Sequence, residues 1–335
     1  MKRLGVIARA DSGGLGNLLW ELCRHLEPAR VLIMDLGVHG RSDCHFDRFE
    51  GLDYRVSTGW APKPDERRWL LDGCDVLYGA ETWYADEMPH EARARNVRTV
   101  LHVMPELYLP SRVADELWVP TTWRRAHLPG TRLVPVPVAL DRFEYRRRSP
   151  AKHFVHVWAP AMLDRNGTDP TLAALEAVTQ PIDVTLLGGR SVQLEGRAPV
   201  TMKSFREPGE YPDDYFDLWP DDADVLVLPR RFAGLSMPVQ EAAARGMPAI
   251  MTGCEPQSGW PGVMQVRSRG SSNATMAGGQ IPVHDPDPAS VAEAIDRLAA
   301  DPGLAGLYSD RAYAWAQGLS WDVWADRYRE LFDLV

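Results

Sequence analysis

The sequence has few cysteines, no long apolar run and no excess of positive charge. No apolar stretch approaches the roughly 20 residues that span a bilayer, and Arg9 and Asp11 interrupt the short apolar run near the start. We therefore expect neither a transmembrane helix nor a signal peptide. The 4 cysteines form no Cys-x-x-Cys pair, which predicts reduced thiols, a cytoplasmic location and no structural zinc.

The charge and composition narrow the class of protein further. A formal net charge of -9 disfavours broad electrostatic binding to nucleic acid or anionic lipid. What is present is the composition of a soluble globular protein, with 45% hydrophobic and 25% charged residues among 335. That length favours two domains of roughly 150 residues each.

Short apolar runs alternate with helix-length segments along most of the chain. Examples of the apolar runs are RLGVIARA, RVLIMDL, CDVLYGA, KHFVHVWAP and IDVTLLGG. This alternation predicts βα units and mostly parallel sheets. Near residues 140–151 the pattern gives way to a segment rich in Pro and Arg, which we interpret as a linker between two α/β halves. The last stretch of the chain is nearly all helical signal, with breaks at Pro302 and Gly318.

Two loops that follow predicted strands are candidate binding sites, because ligands of doubly wound sheets bind beyond the carboxyl ends of the strands. In the first loop, Gly13, Gly14 and Gly16 predict a flexible turn, with Asn17 beginning a helix that runs to Leu26. Backbone amides can approach a ligand closely at glycines, and a helix N-terminus suits phosphate. The glycine spacing is not that of the dinucleotide fingerprint, and an ordinary tight turn explains the pattern equally well.

The second loop follows the predicted strand Val225 to Leu228, which ends at Pro229. A Gly-Leu-Ser-Met turn then leads into Pro238, a residue suited to the first turn of a helix. Glu241 lies about one turn inside that helix, where a carboxylate could accept two hydrogen bonds from the hydroxyls of a ribose. On composition alone, an exposed helix carboxylate without a ligand is the simpler interpretation of Glu241.

Six segments, taken in order, resemble retaining glycosyltransferases of the GT-B fold, especially family 4. The stretch from Leu226 to Thr252 is similar to a signature in which a strand ends in Pro, a Glu-Gly-Phe-Gly-Leu-Pro turn follows, and a helix carries a second Glu. The other matching segments are GGLGNLLWELCRHL, RTVLHVMPE, ADELWVPTTWRRAHL, RLVPVPVALDRF and GLSWDVWADRYRELFD. The resemblance therefore covers the whole chain.

The resemblance implies an α/β protein of GT-B architecture, with two Rossmann-like, doubly wound domains that face a cleft. The implied limits are 1–148 for the acceptor-side domain, 149–312 for the nucleotide-sugar-binding domain, and 313–335 for a C-terminal helix that crosses back to the N-terminal domain. The implied reaction moves a sugar from a UDP- or GDP-sugar to an acceptor hydroxyl with retention of configuration. In this family the leaving diphosphate takes up the proton of the acceptor, so neither a protein nucleophile nor a metal ion is expected.

The resemblance also assigns residues. Glu241 matches the Glu that holds the ribose, and His102 matches a histidine near the reacting sugar, although a strand-end histidine of the core is the simpler alternative. The implied catalytic positions are His102, Arg165 and Glu241. The implied donor-binding positions are Gly13, Gly14, Leu15, Gly16, Gly188, Arg230, Arg231, Gly234, Leu235, Ser236, Met237 and Glu241.

Two positions depart from the family pattern. Ala233 stands where a Glu normally contacts sugar hydroxyls, and Asn166 stands where a Lys normally neutralises the diphosphate. Arg165 is the only basic side chain in its segment and is our candidate for the missing cation, with Arg230 and Arg231 as further candidates.

The departures leave alternatives open. One is a degenerate protein that binds a nucleotide-sugar or a glycan without transferring it. Another is an inverting GT-B enzyme or an epimerase, for which His102 or Asp11 would have to act as the base. The acceptor is not encoded in a recognisable way: a glycan, a small molecule, a protein and a modified DNA base all fit the sequence.

Overall fold

The computed structural model describes residues 1–11, 13–37, 44–158, 162–188, 200–203 and 219–335. Contacts between residues divide the chain into two units. Unit 1 comprises Met1–Pro137, Met276–Gly279 and Trp321–Val335, and unit 2 comprises Val138–Thr275 and Gln280–Ser320.

Unit 1 is built on a parallel sheet flanked by helices. Its strands are β1 (Leu4–Ala8), β2 (Arg30–Asp35), β3 (Tyr54–Thr58), β4 (Val76–Ala80), β5 (Arg98–His102), β6 (Glu116–Val119) and β7 (Arg132–Leu133). Its helices are α1 (Gly14–Leu26), α2 (Pro64–Asp72), α3 (Met88–Ala94) and α8 (Trp321–Phe332). The described strands lie in the order β3-β2-β1-β4-β5-β6-β7, and every neighbouring pair is parallel.

The final helix, α8, belongs to unit 1. Its apolar positions Trp321, Tyr328 and Phe332 are buried, as expected for one stripe of an amphipathic helix. The Trp321 ring stacks on His25 of α1 at a centroid distance of 4.8 Å, and the Tyr328 hydroxyl donates to the carbonyl of Pro135 (3.0 Å). The predicted return of the C-terminal helix to the N-terminal domain is therefore confirmed.

Unit 2 contains a second parallel sheet and a hairpin. The sheet strands are β8 (His153–Val157), β9 (Asp183–Leu187), β10 (Val200–Lys203), β11 (Val225–Val227), β12 (Ala249–Thr252) and β13 (Val263–Val266). They lie in the order β10-β9-β8-β11-β12-β13, all parallel. The remaining elements are α4 (Thr168–Ala177), α5 (Met237–Ala244), the hairpin strands β14 (Ser268–Met276) and β15 (Gly279–Pro286), α6 (Pro288–Ala300) and α7 (Pro302–Gly318).

The sequence patterns explain these elements. Strands β1, β4 and β11 are buried at every position, which is why they read as continuous apolar runs. The breaks at Pro302 and Gly318 are confirmed as the ends of α7. Sequence reasoning missed the hairpin of β14 and β15, because its strands are mostly exposed and polar and lack a clear alternation.

The predicted doubly wound α/β class is confirmed in each unit. All 4 cysteines are free thiols. None of the helices among the described residues is long and apolar enough to cross a membrane.

Candidate functional site

The sheet of unit 2 has a switch point between β8 and β11. From β8 the chain moves outward to β9 on one side, whereas β11 and β12 extend the sheet on the other side. The loops that follow β8 and β11 therefore diverge and leave a crevice at the carboxyl ends of these strands, the usual ligand position in open α/β sheets. The described residues of these loops are 158 and 162–167 after β8 and 228–236 after β11.

The two loops touch through their backbones. Gly167 has φ +70°, and a Cβ atom built on it would lie 2.3 Å from the carbonyl oxygen of Pro229. The Arg231 amide donates to the carbonyl of Arg165 (3.0 Å), and its guanidinium Nη1 donates to the carbonyl of Leu163 (3.2 Å). Because any side chain at position 167 would separate the loops, glycine is required there.

The three candidate arginines occupy different environments. Arg230 is 8% exposed, and its Nη1 donates to the carbonyl of Leu235 (3.0 Å), so this side chain braces the turn from within. Arg231 uses its side chain to hold the carbonyls of Leu163 and His284. The Arg165 guanidinium instead lies 5.4 Å from the centre of the buried Phe232 ring. Arg165 is therefore the candidate that packs on an aromatic ring in the loop after β11.

Asn166 has a structural role that the sequence did not indicate. It is 3% exposed, and its Nδ2 donates to the carbonyl of Val157, the last residue of β8 (2.9 Å). A Lys at this position would bury an ammonium group beside the strand end, at a considerable cost in solvation. Asn166 thus fixes the loop after β8, and the segment's cation is its neighbour Arg165.

Two helices begin at the crevice, and their N-termini differ. The Asp164 carboxylate accepts hydrogen bonds from the amides of Thr168 (2.8 Å) and Asp169 (3.1 Å), so the first turn of α4 is capped by the protein. Burial raises the pKa of Asp164. At α5 the N-cap residue is Ser236, whose side chain makes no capping hydrogen bond. The N-terminus of α5 is therefore the better anion site of the two.

The turn before α5 is tightly packed. Ala233, Gly234, Leu235 and Ser236 are all buried, and the proline that follows Met237 lies in the first turn of α5, as predicted. Glu241 is 3% exposed. The simpler interpretation of Glu241 as an exposed helix carboxylate is therefore wrong.

Gly188 follows β9 directly, at the same edge of the sheet. Its φ is +81°, and a Cβ there would lie 2.8 Å from the carbonyl oxygen of Trp158. A close approach of the backbones after β8 and β9 thus requires glycine at this position. The residues that follow it, 189–199, lie outside the described part of the chain.

In unit 1 the glycine loop is more helical than predicted. Helix α1 begins at Gly14, so Gly14, Leu15 and Gly16 form its first turn, and the prediction that Asn17 begins the helix is wrong. The reason is a close approach, because a Cβ on Gly16 would lie 2.0 Å from the carbonyl oxygen of Asp11. Only glycine lets the first turn of the helix pack against this loop.

Asp11 is held by its neighbours. Its carboxylate accepts a hydrogen bond from the Gly13 amide (2.8 Å) and pairs with the Arg9 guanidinium. Gly13 is the N-cap residue of α1 and forms no side-chain cap of its own. Asp11 therefore orients the start of α1 and has both oxygens engaged.

His102 is the last residue of β5 and is fully buried in unit 1. Its Nδ1 lies 3.1 Å from the Tyr78 hydroxyl, and its ring packs edge-on against Trp118 at 6.1 Å. Burial lowers the pKa of His102 to about 3, and a hydrogen bond to the Val134 backbone offsets part of this effect. At neutral pH the imidazole is uncharged, and in this conformation the side chain belongs to the core.

Among the described residues, no three His, Cys, Asp or Glu side chains form a group that could hold a metal ion.

Sequence reasoning also missed two residues of the crevice. They are Phe232, which supports Arg165, and Asp164, which caps α4. Phe232 carries no local signal, because its role depends on a contact between loops, whereas Asp164 caps the helix of its own segment.

No family model and no curated protein sequence matches the chain. Solved structures do match over its full length. Anabaena HepE in complex with UDP and glucose shares 12% identity with a TM-score of 0.71, covering 100% of both chains. The sucrose-phosphate synthase of Thermosynechococcus elongatus shares 16% identity with a TM-score of 0.65, again covering 100% of both chains.

A third match is the lipopolysaccharide outer core galactosyltransferase WaaB in its apo form. It shares 12% identity with a TM-score of 0.61, and the alignment covers 99% of this chain and 100% of WaaB. At such identities the likeness concerns the fold, and these proteins are GT-B glycosyltransferases. The chain therefore has the GT-B fold, as its sequence predicted.

Proposed function

We propose that the protein is a retaining glycosyltransferase that moves a sugar from a nucleotide-sugar to an acceptor hydroxyl without a metal ion. The observation that carries the proposal is the crevice of unit 2. There the N-cap side chain of α5 leaves the helix uncapped, Glu241 is buried on the same helix, and Arg165 rests on Phe232. A helix N-terminus, a cation and a buried carboxylate are the groups that a diphosphate and a ribose require.

The donor is assigned to this crevice group by group. Glu241 accepts hydrogen bonds from the two ribose hydroxyls, and the backbone of Gly234, Leu235, Ser236 and Met237 contacts the diphosphate and the sugar. Arg165 neutralises the diphosphate. At Gly188 the lack of a side chain lets the protein backbone lie close to the nucleotide. In unit 1, the N-terminus of α1 at Gly13 to Gly16 is a separate group of amides that suits an anion or hydroxyl oxygens.

Catalysis in this proposal rests on positioning and on charge stabilisation. As the bond between the anomeric carbon and the diphosphate oxygen breaks, negative charge develops on the diphosphate, where Arg165 and the N-terminus of α5 stabilise it. The acceptor hydroxyl attacks from the same face and passes its proton to that diphosphate oxygen, so the configuration is retained and no side-chain base is needed. His102 has no charged role, because its pKa of about 3 keeps it neutral.

A UDP-sugar is the first donor to test, because HepE was solved with UDP and glucose. GDP-sugars are the second. The test measures thermal stabilisation and nucleotide release with a panel of UDP- and GDP-sugars, since a bound donor stabilises the native state in proportion to its affinity. We compare Arg165→Ala with Arg297→Ala, which removes an exposed arginine from α6.

The expected result is stabilisation by at least one donor and its loss in Arg165→Ala only. Equal donor affinity and turnover in both variants would remove Arg165 from the proposal. Wild-type protein that responds to no donor would refute nucleotide-sugar binding.

A second candidate function is donor binding without transfer. The observation that favours it is the fully buried Ala233, which supplies no carboxylate to the sugar. Saturable binding of a nucleotide-sugar with no release of nucleotide, with water or any acceptor tested, would support this alternative. The inverting alternative has less support, because His102 is buried and Asp11 is engaged with Arg9 and Gly13.

A further inference from the structure

The loop after β11 is held at the point where it leaves the sheet. Strands β11 and β12 pair only through Leu226 with Ala249 and Val227 with Ile250, and the last ladder bond runs from the Leu228 amide to the Ile250 carbonyl (2.9 Å). Beyond this point no further ladder pair among the described residues joins the two strands. The backbone carbonyls that follow need other hydrogen-bond donors, because buried backbone groups are paired.

Gln257 supplies those donors. It is fully buried, and its Nε2 donates to the carbonyl of Arg230 (3.1 Å) and to the carbonyl of Thr252 (3.0 Å). The two carbonyls belong to the loop after β11 and to the end of β12. The side-chain amide of Gln257 therefore spans the gap where the ladder ends.

The orientation of this amide is fixed by its surroundings. The Nε2 also lies 3.0 Å from the Sγ of Cys254. A flipped amide would place Oε1 against two carbonyl oxygens and could accept only from the Cys254 thiol, so the observed orientation makes more hydrogen bonds. In that orientation Oε1 is buried and has no hydrogen-bond partner among the described residues. The unsatisfied Oε1 is a cost, so it is the hydrogen bonds of the two N–H groups that suit glutamine to this place.

The hydrogen bonds of Gln257, which we call the clamp, continue into the turn through Arg230. The Arg230 carbonyl is held by Gln257, and the Arg230 guanidinium holds the carbonyl of Leu235. The turn is thus fixed at its first and penultimate residues, immediately before the N-cap Ser236. This arrangement sets the direction of the amides at the start of α5.

We propose that Gln257 is a positioning residue that aims the turn 230–236 and the N-terminus of α5 at the donor diphosphate. The inference rests on the proposed function for the identity of the ligand, but its structural part concerns the turn alone. In this proposal Gln257 does not contact the nucleotide-sugar and acts only through the carbonyls of Arg230 and Thr252.

The test uses two replacements of Gln257 and one matched control. Gln257→Met keeps the volume and removes both donors, and Gln257→Glu presents oxygens to the two carbonyls. The control is Ser309→Ala, because Ser309 is also a fully buried polar residue of unit 2 that joins two backbone groups, the Gly246 carbonyl and the Arg148 amide. It removes two hydrogen bonds to backbone groups, as the loss of the Arg230 and Thr252 bonds does, without touching the turn.

Amide hydrogen exchange of the peptide covering the turn is the first readout. We expect exchange about tenfold or more faster in both Gln257 variants, because the hydrogen bond to the first carbonyl of the turn is lost together with its link to the end of β12. We expect no change there in Ser309→Ala. Equal protection of the turn in Gln257→Met and wild type would overturn the clamp.

Affinity for UDP and GDP and the kinetics of the donor are the second readout. We expect the affinity of the bound nucleotide and the donor kcat/KM to fall about tenfold in the Gln257 variants, with the acceptor KM unchanged and with Ser309→Ala close to wild type. Faster exchange with unaltered affinity and kinetics would refute the positioning role. If wild type binds neither nucleotide, the proposed function fails and the aim at a diphosphate fails with it, whereas the exchange result still decides whether Gln257 holds the turn.

Discussion

Replacing Gly167 with alanine should separate the two loops of the crevice. The new Cβ would lie 2.3 Å from the Pro229 carbonyl oxygen, whereas ordinary contact begins at 3.4 Å, so the loops must part by about 1 Å. A displacement of this size in a site built on positioning can lower the rate about 100-fold. Gly167 also has φ +70°, which adds about 1 to 2 kcal/mol of backbone strain for alanine.

Gly130→Ala is the matched control. Gly130 has φ +81° and no atom within 4 Å of its built Cβ, so it shares the strain but not the clash. We expect Gly130→Ala to lose about 1 to 2 kcal/mol of unfolding free energy in urea and to keep its donor kcat/KM. We expect Gly167→Ala to lose more stability and about 100-fold in kcat/KM. If the two variants match in both measurements, the loops do not define the site in the way described.

Three further predictions follow from the same contacts. Glu241→Gln should weaken UDP or GDP binding about tenfold or more in calorimetry, because hydrogen bonds to a charged group are worth about 1.5 to 3 kcal/mol; the exposed Glu176→Gln is the control, and equal affinities would contradict the ribose assignment. Turnover should persist in excess EDTA, and a loss restored by a divalent cation would refute metal independence. The free energy of unfolding should fall as the pH is lowered from about 6.5, by up to about 1.4 kcal/mol per pH unit for each buried neutral histidine. The reason is that these histidines bind protons in the unfolded state and stay unprotonated in the folded state. The histidines concerned are His102 and His156, whose pKa values burial lowers to about 3 and about 4, and His102→Gln should flatten the slope, whereas an unchanged slope would place its pKa elsewhere.

The fold was accessible from the sequence because its signals are local. Continuous apolar runs mark buried parallel strands, and Pro302, Pro238 and Gly318 mark helix ends where the structure has them. The start of α1 was misplaced because it depends on a contact between Gly16 and the Asp11 carbonyl. Such a contact leaves no trace in the helical periodicity.

The candidate site was accessible only in part. The turn before α5 and Glu241 lie in one contiguous segment, so a short motif records them. The environments of Arg230, Asn166 and His102 depend on other segments. The bond from Gln257 to Arg230 spans 27 positions, and His102 is enclosed by Tyr78 and Trp118 from neighbouring strands. Residue type alone does not distinguish a phosphate-binding arginine from one that braces its own loop.

The departures at 233 and 166 have different meanings in the structure. Asn166 binds the end of β8, and in the proposed function its neighbour Arg165 provides the positive charge. Ala233 is buried and has no polar side chain. In the proposed function the sugar is therefore held mainly by backbone groups of the turn. We therefore expect recognition of the nucleotide to be stronger than recognition of the sugar.

The central claim is nucleotide-sugar cleavage with retention, and proton NMR of the first-formed sugar tests it most directly. The protein is incubated with a UDP- or GDP-sugar that it binds, with water as the acceptor when no other is known, and the anomeric signal is followed before mutarotation. The account predicts that the released sugar first appears with the anomeric configuration of the donor. The opposite anomer, or bound donor without any release of nucleotide, would contradict it.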